Sequence, residues 1–321
     1  MAVARAIGKK TAQGMAPYQF LKPPTVHAHG MIQIRPAGKP DLGDMEFDVD
    51  GGPYRWNKFT STHVAGTILW REETLVLTNM QSDFYGGKLA GNAAFDLSPE
   101  RGADFQFELN ASDVDFHVLM TDVSSRQGKL EGTLDGHLVV THANSLDLES
   151  WNGHGRAHLR NGLVWDIPIF GIFSPVLNGV FPGLGTTRVT EGKGTFIITN
   201  SVVISDDLEF QASAMRMNYQ GSVDFKQNVN ARVEVALLRN VWGVGQVFST
   251  IFWPITKMFE YKVTGTLDHP QTEPVYIFPK LLTMPFYPFK LMKGLFQDDT
   301  GGTNAPPGNF KFEEPNQPDR K

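Results

Sequence analysis

The chain of 321 residues contains no cysteine, which excludes disulfide bonds, thiolate metal ligands and a cysteine nucleophile. Its formal net charge of −5 provides no general basic field, so we expect no nucleic-acid partner. No apolar run approaches the ~20 residues of a membrane span. The basic first residues, MAVARAIGKKTAQG, lack the apolar core of a signal peptide.

Catalytic motifs are also missing. The sequence has no P-loop, no GxGxxG after a strand, no GxSxG and no HExxH, so the usual nucleotide-binding, hydrolase and zinc-protease sites lack their residues. The pairs His27/His29 and His154/His158 alternate with apolar residues, which favours a solvated face over a metal site. We therefore expect no enzyme, no cofactor and no metal. A carbohydrate-active protein stays open, because two facing carboxylates leave no sequence pattern.

Most of the chain alternates apolar and polar residues with a period of two. The alternation is clearest over residues 105–111 and 215–237, and it is typical of antiparallel strands with one solvated face. Turn residues between such runs predict hairpins. The predicted turns lie at residues 71–73, at Asn161-Gly162, at Asn200-Ser201 and near Gln227.

Four segments interrupt this pattern, at residues 113–122, 167–181, 243–259 and 279–296, and the first three are predicted to be helical. The second and third are apolar nearly all round, so they either plug the end of a β structure or contact lipid. The fourth combines large apolar residues with lysines, which suits a membrane surface or a lid over the core. The predicted organisation is a helical lead-in or linker at 1–24, a β domain at 25–278, the amphipathic segment at 279–296 and a disordered tail at 297–321.

A glycine flanked at two residues' distance by apolar residues recurs in the predicted strands. An inward-facing glycine permits a sharp bend, a bulge or close approach to the backbone. The repetition predicts a strongly curved sheet, although ordinary bulges in a β-sandwich are the alternative. The glycines concerned are Gly66, Gly91, Gly132, Gly221 and Gly265.

The order of several segments resembles a known family. KLEGTLDGHLVV is followed by GHGRAHLRNGLVWDIPIFGIFS, EGKGTFIITNSVVISDDLEF, MRMNYQGSVDF and YKVTGTLDHPQTEP. This ordered set resembles the C-terminal region of AsmA-like proteins, the bacterial envelope group that includes AsmA and TamB relatives. The resemblance covers residues 127–274 well and 51–122 more loosely.

The resemblance implies a mainly β fold with a long, strongly curved antiparallel sheet. The sheet would form an apolar groove that carries lipid acyl chains between two membranes, with short helical insertions and a C-terminal amphipathic segment. It offers no catalytic residues. It also implies that the protein lies on the periplasmic side of the bacterial envelope, anchored through an upstream segment that this chain lacks. The implied function is phospholipid transport or outer-membrane assembly. The partners would be envelope proteins that the sequence does not identify.

The alternative to lipid binding is a structural or adhesive β domain with an ordinary packed core. For the lipid-binding function, two sets of residues are predicted. The predicted groove residues are Leu130, Leu134, Met215, Met217, Tyr219, Val223, Phe225, Val233 and Val263. The predicted insertion or membrane-contact residues are Phe170, Phe173, Phe252, Trp253, Phe286 and Phe289.

Overall fold

The computed structural model describes residues 18–33, 42–56, 58–123, 129–180, 182–237 and 257–277. Most of them belong to one antiparallel sheet with 14 strands, in the order β17-β16-β15-β14-β13-β12-β11-β10-β9-β8-β7-β6-β3-β2. Neighbours in the sheet are nearly always neighbours in the chain, so among the described residues the sheet is a meander with β2 and β17 as its two edge strands. The prediction of a mainly β chain built on a large antiparallel sheet is confirmed.

The strands of the large sheet are 8 to 17 residues long. Their bounds are β2 Thr25–Gln33, β3 Leu42–Gly51, β6 His63–Arg71, β7 Thr74–Phe84, β8 Gly87–Asp96, β9 Asp104–Asp115, β10 Glu131–Asn144, β11 Asp147–Leu163, β12 Val189–Thr199, β13 Val202–Ala212, β14 Met215–Asp224, β15 Val229–Leu237, β16 Lys257–Gly265 and β17 Pro270–Ile277.

Three of the four predicted hairpin turns are confirmed. Glu72 and Glu73 connect β6 to β7, Asn200 and Ser201 connect β12 to β13, and Gln227 lies between β14 and β15. Glu72, Asn200, Ser201 and Gln227 have positive φ angles, as tight connections of right-twisted strands require.

The predicted turn at Asn161-Gly162 is wrong, because both residues lie inside β11. Asn161 has a φ of 53°, and the pairing of β11 with β10 shifts between Glu131 and Thr133. An extra residue in one strand of an antiparallel pair produces this shift. Asn-Gly here forms a β-bulge, which uses the same left-handed conformation as a hairpin turn.

A second, small sheet lies beside the large one. It has three strands in the order β1-β4-β5, with bounds Tyr18–Phe20, Tyr54–Trp56 and Phe59–Ser61. Helix α1, Phe116–Val123, packs against it, because the Tyr85 hydroxyl donates to Asp122 Oδ2 (2.9 Å) and accepts from the Thr60 amide (2.9 Å). The small sheet is thereby fixed to the end of β7.

An insertion of residues 164–188 connects β11 to β12. It contains helices α2, Pro168–Gly171, and α3, Ser174–Val180, followed by a single turn of 3₁₀-helix at Leu184–Thr186. Trp165 Nε1 donates to the Thr187 carbonyl oxygen (2.7 Å), and Ser174 Oγ donates to that of Gly185 (2.6 Å). These hydrogen bonds connect the beginning and the middle of the insertion to its end, so the insertion can pack on the sheet as one unit.

The helical predictions have mixed outcomes. Within the predicted segment 167–181, Pro168–Gly171 and Ser174–Val180 are helical. In the predicted helix at 113–122 the first three residues belong to β9 and the helix begins at Phe116. Tyr18–Phe20 is a strand in the predicted helical lead-in, and Lys257–Phe259 is a strand at the end of the third predicted helix. Residues 243–256, the amphipathic segment and the tail lie outside the described residues. In the part of the chain that the structure describes, no helix has the length and apolarity to cross a membrane.

Four of the five predicted structural glycines, Gly66, Gly132, Gly221 and Gly265, have positive φ angles that side chains rarely adopt. Gly265 has a φ of 86° where β16 turns into β17, and a Cβ there would lie 2.6 Å from the carbonyl oxygen of His269. Gly132 has a φ of 132°, and its Cβ would lie 3.0 Å from the carbonyl oxygen of Arg160. Gly66, Gly91 and Gly221 are paired within the large sheet, opposite Val49, Leu109 and Ala231.

We therefore predict that Gly132→Ala and Gly265→Ala each lower the free energy of unfolding by about 1–3 kcal/mol, the usual range for backbone strain. Gly136→Ala is the matched control, since a Cβ at Gly136 would meet only the Arg156 carbonyl oxygen at 3.7 Å. Urea unfolding followed by circular dichroism measures all three. Equal stability of the three variants would contradict this explanation of Gly132 and Gly265.

Candidate functional site

Apolar residues lie directly opposite one another on one face of the large sheet, strand after strand. Because side chains alternate between faces, a residue and its direct partner on the next antiparallel strand point to the same side. The register gives an uninterrupted line from β2 to β15, which we call the apolar row. Its members are Ala28, Phe47, Ile68, Leu77, Ala93, Phe107, Val140, Gly153, Ile198, Val203, Val223 and Val229.

The N-terminal part of this face is incompletely covered. We call its half-buried residues on β3 and β6 to β10 the open apolar face: Phe47, Ile68, Leu77, Ala93, Phe107 and Leu138. Leu138 pairs with Leu109 on β9 and with Gly155 on β11, so it has a large side chain on one side and no side chain on the other. Apolar side chains held in this partly exposed state leave surface that a further apolar group can cover.

Aromatic rings gather at one end of the open apolar face. Phe105 lies 5.8 Å from Phe95 and 5.3 Å from Trp151, measured between ring centroids, and Trp151 in turn lies 5.6 Å from Phe225. The contact between Trp151 and Phe225 joins β11 to the end of β14, although β12 and β13 separate them in the sheet. The buried Trp151 Nε1 has no hydrogen-bond partner among the described residues.

The insertion covers the C-terminal part of the same face. Phe170 lies 4.7 Å from Phe210 and 5.2 Å from Tyr219, while Phe173 lies 5.6 Å from Tyr261, again between ring centroids. Phe173 is only 1% exposed. The structure therefore assigns Phe173 to the core rather than to a membrane surface, and it places the partly buried Phe170 on the sheet as well. The insertion acts as a plug, one of the two roles expected from its apolar sequence.

Five predicted groove residues come together beneath this plug. Met215, Met217, Tyr219, Val233 and Val263 are buried in one cluster with the insertion. Alternation placed them correctly on one face of the sheet, but that face is a packed core at β14 to β16.

The other predicted residues lie elsewhere. Leu134 and Val223 are partly buried and pack against the cluster, Phe225 belongs to the aromatic end, and Leu130 is buried just before β10. Phe252, Trp253, Phe286 and Phe289 lie outside the described residues. The predicted groove residues include none of the six residues of the open apolar face, although the alternation at residues 105–111 already indicated that Phe107 lies on an apolar face.

The contact between insertion and sheet is tight. A cavity of about 10 Å³ remains there, lined by apolar groups of Val164, Trp165, Phe170, Val189, Phe210 and Tyr219, among others. That is about the smallest volume that holds one water molecule, and it is too small for an acyl chain. Tyr219 is 4% exposed, and its hydroxyl has no hydrogen-bond partner among the described residues. Burial raises the pKa of Tyr219 well above its usual value, so the hydroxyl stays protonated.

The opposite face of the sheet carries cross-strand charge pairs. Arg160 binds Asp113 (2.7 Å) and Asp135 (2.9 Å), and His158 lies 3.1 Å from Glu191. The hydrogen bond from the Asp113 amide, followed by the Arg160 guanidinium, lowers the pKa of Asp135 despite some desolvation. Exposed pairs of this kind contribute about 0–1 kcal/mol each. Among the described residues, no three histidine or acidic side chains lie close enough together to hold a metal ion.

Comparison of the chain with protein-family models, with curated proteins and with solved structures finds no match.

The buried hydroxyl of Tyr219 leads to a prediction. Tyr219→Phe should raise the free energy of unfolding by about 1 kcal/mol, because a buried hydroxyl without a partner costs about 1–3 kcal/mol. Tyr85→Phe removes the same atom from another buried tyrosine, but there the Thr60 amide loses its acceptor and Asp122 Oδ2 keeps only the Thr60 hydroxyl. We expect that variant to be less stable than the wild type by about 1–2 kcal/mol. Urea unfolding compares the two, and equal destabilisation by both would show that Tyr219 does have a partner.

Proposed function

We propose that this protein is a non-enzymatic lipid-binding or lipid-conducting module of the bacterial envelope. The apolar row carries this proposal, because it offers a lipid chain a continuous line of apolar contacts across the strands. Its N-terminal part is half-buried, which leaves area that an acyl chain can cover. The resemblance of the segment order to AsmA-like proteins supports the same function.

The binding energy would come from apolar contact alone. Each methylene group that leaves water for an apolar surface contributes about 0.8 kcal/mol. An acyl chain on the open apolar face would also cover residues such as Leu77, Phe107 and Leu138, which adds to the gain. A curved sheet would increase the contact by surrounding the chain on more than one side. No covalent step is needed, so the proposal requires no catalytic group.

A structural or adhesive β domain is the second candidate. The observation that favours it is the tight packing of the insertion on β13 to β16, which makes that part of the face an ordinary core. The two candidates differ in what covers the open apolar face: a lipid in the first, and nothing or another protein in the second.

The direct test is the lipid content of the purified full chain. We expect mass spectrometry of gently purified protein to find acyl lipid at a reproducible ratio, and an apolar fluorescent probe to bind with displacement by a free fatty acid. A protein that retains no lipid and binds no probe would contradict the proposal.

Two neighbouring residues provide a matched pair of variants. Leu138→Glu places a carboxylate on the open apolar face, whereas Val139→Glu makes nearly the same change on the opposite face, opposite Glu108 and His154. We expect Leu138→Glu to reduce bound lipid or probe by about tenfold or more, since a carboxylate in apolar contact costs several kcal/mol. Val139→Glu should retain binding. Equal binding by two folded variants would exclude the open apolar face as the site, and circular dichroism checks the folding of both.

A further inference from the structure

The outer edge of β2 is a surface suited to bind another strand. Within the described ranges, no strand pairs with the side of β2 that faces away from β3. β2 is nine residues long and contains no proline, so none of the amides that point away from β3 is missing. A long edge with free amide and carbonyl groups is a template for a further β-strand.

The other edge of the sheet is protected in a way that β2 is not. β17 contains Pro270 and Pro274, which lack the amide hydrogen that an added strand would need. The edge at β2 instead exposes apolar side chains. Val26 and Ile32 are 46% and 48% exposed on the side of the apolar row, and Met31 is 75% exposed on the other side.

The charges next to β2 indicate what kind of strand would bind. On β3, Asp44, Glu46, Asp48 and Asp50 alternate on the face opposite the apolar row, and we call them the acidic row. The cations paired with the acidic row are Arg71 on Asp44 (3.4 Å), His29 on Glu46 (3.5 Å) and His63 on Asp50 (3.0 Å). Four carboxylates thus face at most three cations, so the row keeps a net negative charge.

A strand added to β2 would lie two strand spacings from β3, about 10 Å. A long lysine or arginine side chain pointing to the same face can lean across β2 toward the acidic row. The polar side of β2 provides Thr25, His27, His29, Met31 and Gln33, with no lysine or arginine. A second copy pairing through β2 would therefore bring no lysine or arginine to this face.

We propose that the edge of β2 binds an extended strand of another protein. That strand carries lysine or arginine on the side of the acidic row and apolar residues on the side of the apolar row. It would continue the apolar row beyond Ala28. Backbone hydrogen bonds would give affinity, and the two faces would give orientation and specificity. This proposal does not depend on lipid binding.

The test uses the full chain and a fluorescent peptide of alternating valine and lysine, with nine residues to match β2. Two control peptides replace lysine by glutamate, or replace one central valine by proline at unchanged charge. Fluorescence anisotropy at low salt and at about 150 mM salt, where screening is physiological, measures binding. We expect the valine–lysine peptide to bind, both controls to bind at least about tenfold more weakly, and hydrogen exchange of the β2 amides to slow in the complex.

Protein variants locate the site. Val26→Lys with Ile32→Lys should weaken binding by about tenfold, since lysine on an edge opposes pairing. Val275→Lys is the matched control, because Val275 is 51% exposed on the opposite edge strand, and it should bind normally. Glu46→Gln with Asp48→Asn should weaken binding by about threefold for each charge removed.

Three results would overturn the proposal. The first is equal binding of the proline peptide, which would show attraction by charge alone. The second is a loss of binding in Val275→Lys but not in the β2 variant. The third is a dimer in sedimentation experiments that Val26→Lys with Ile32→Lys dissociates, because a second copy would then occupy the edge.

Discussion

The register between neighbouring strands is the constraint on which the rest of the structure depends. Shifting one strand by a single residue would move all of its side chains to the other face. Val140 lies between Phe107 and Gly153 only because β9, β10 and β11 keep their alignment despite bulges on both sides. The same alignment brings Arg160 to Asp135 on the opposite face. One geometric condition thus separates apolar contacts from charge pairs over the whole sheet.

The apolar face is used in two ways along the sheet. From β13 to β16 the insertion covers it, and residues such as Val233 and Phe259 are completely buried, with the gain of about 25 cal/mol per Å² of apolar surface removed from water. From β3 to β10 the same kind of face is half-buried. Covering the whole apolar face would increase the stability of the fold, because more apolar surface would be removed from water. The part that stays uncovered gives up this stability, and for this reason we assign the binding function to it. The packed part provides the stability that the open part lacks.

The sequence predicted the strands well because alternation is a local property of each strand. It also predicted the turns at Asn200-Ser201 and Gln227, where turn residues separate two alternating runs. Asn161-Gly162 misled the prediction because a bulge and a hairpin need the same left-handed conformation at Asn161.

The burial of five predicted groove residues beneath the insertion could not be predicted, for a different reason. Alternation showed that Met217 and Tyr219 share a face, but what covers a face depends on distant residues such as Phe170, which no local pattern connects to them. The acidic row on β3 was visible as alternating carboxylates, yet its meaning depends on β2 being an edge, and only the strand order shows that.

The central claim is that an acyl chain lies on the open apolar face, and photo-crosslinking with a fatty acid that carries a diazirine group tests it most directly. After irradiation of the full chain and proteolysis, mass spectrometry identifies the labelled peptides and residues. The account predicts labels on β7 to β10 at residues such as Leu77, Phe107 and Leu138, reduced by an excess of unlabelled fatty acid. Labels confined to the opposite face of these strands, or labelling that the competitor does not reduce, would contradict it.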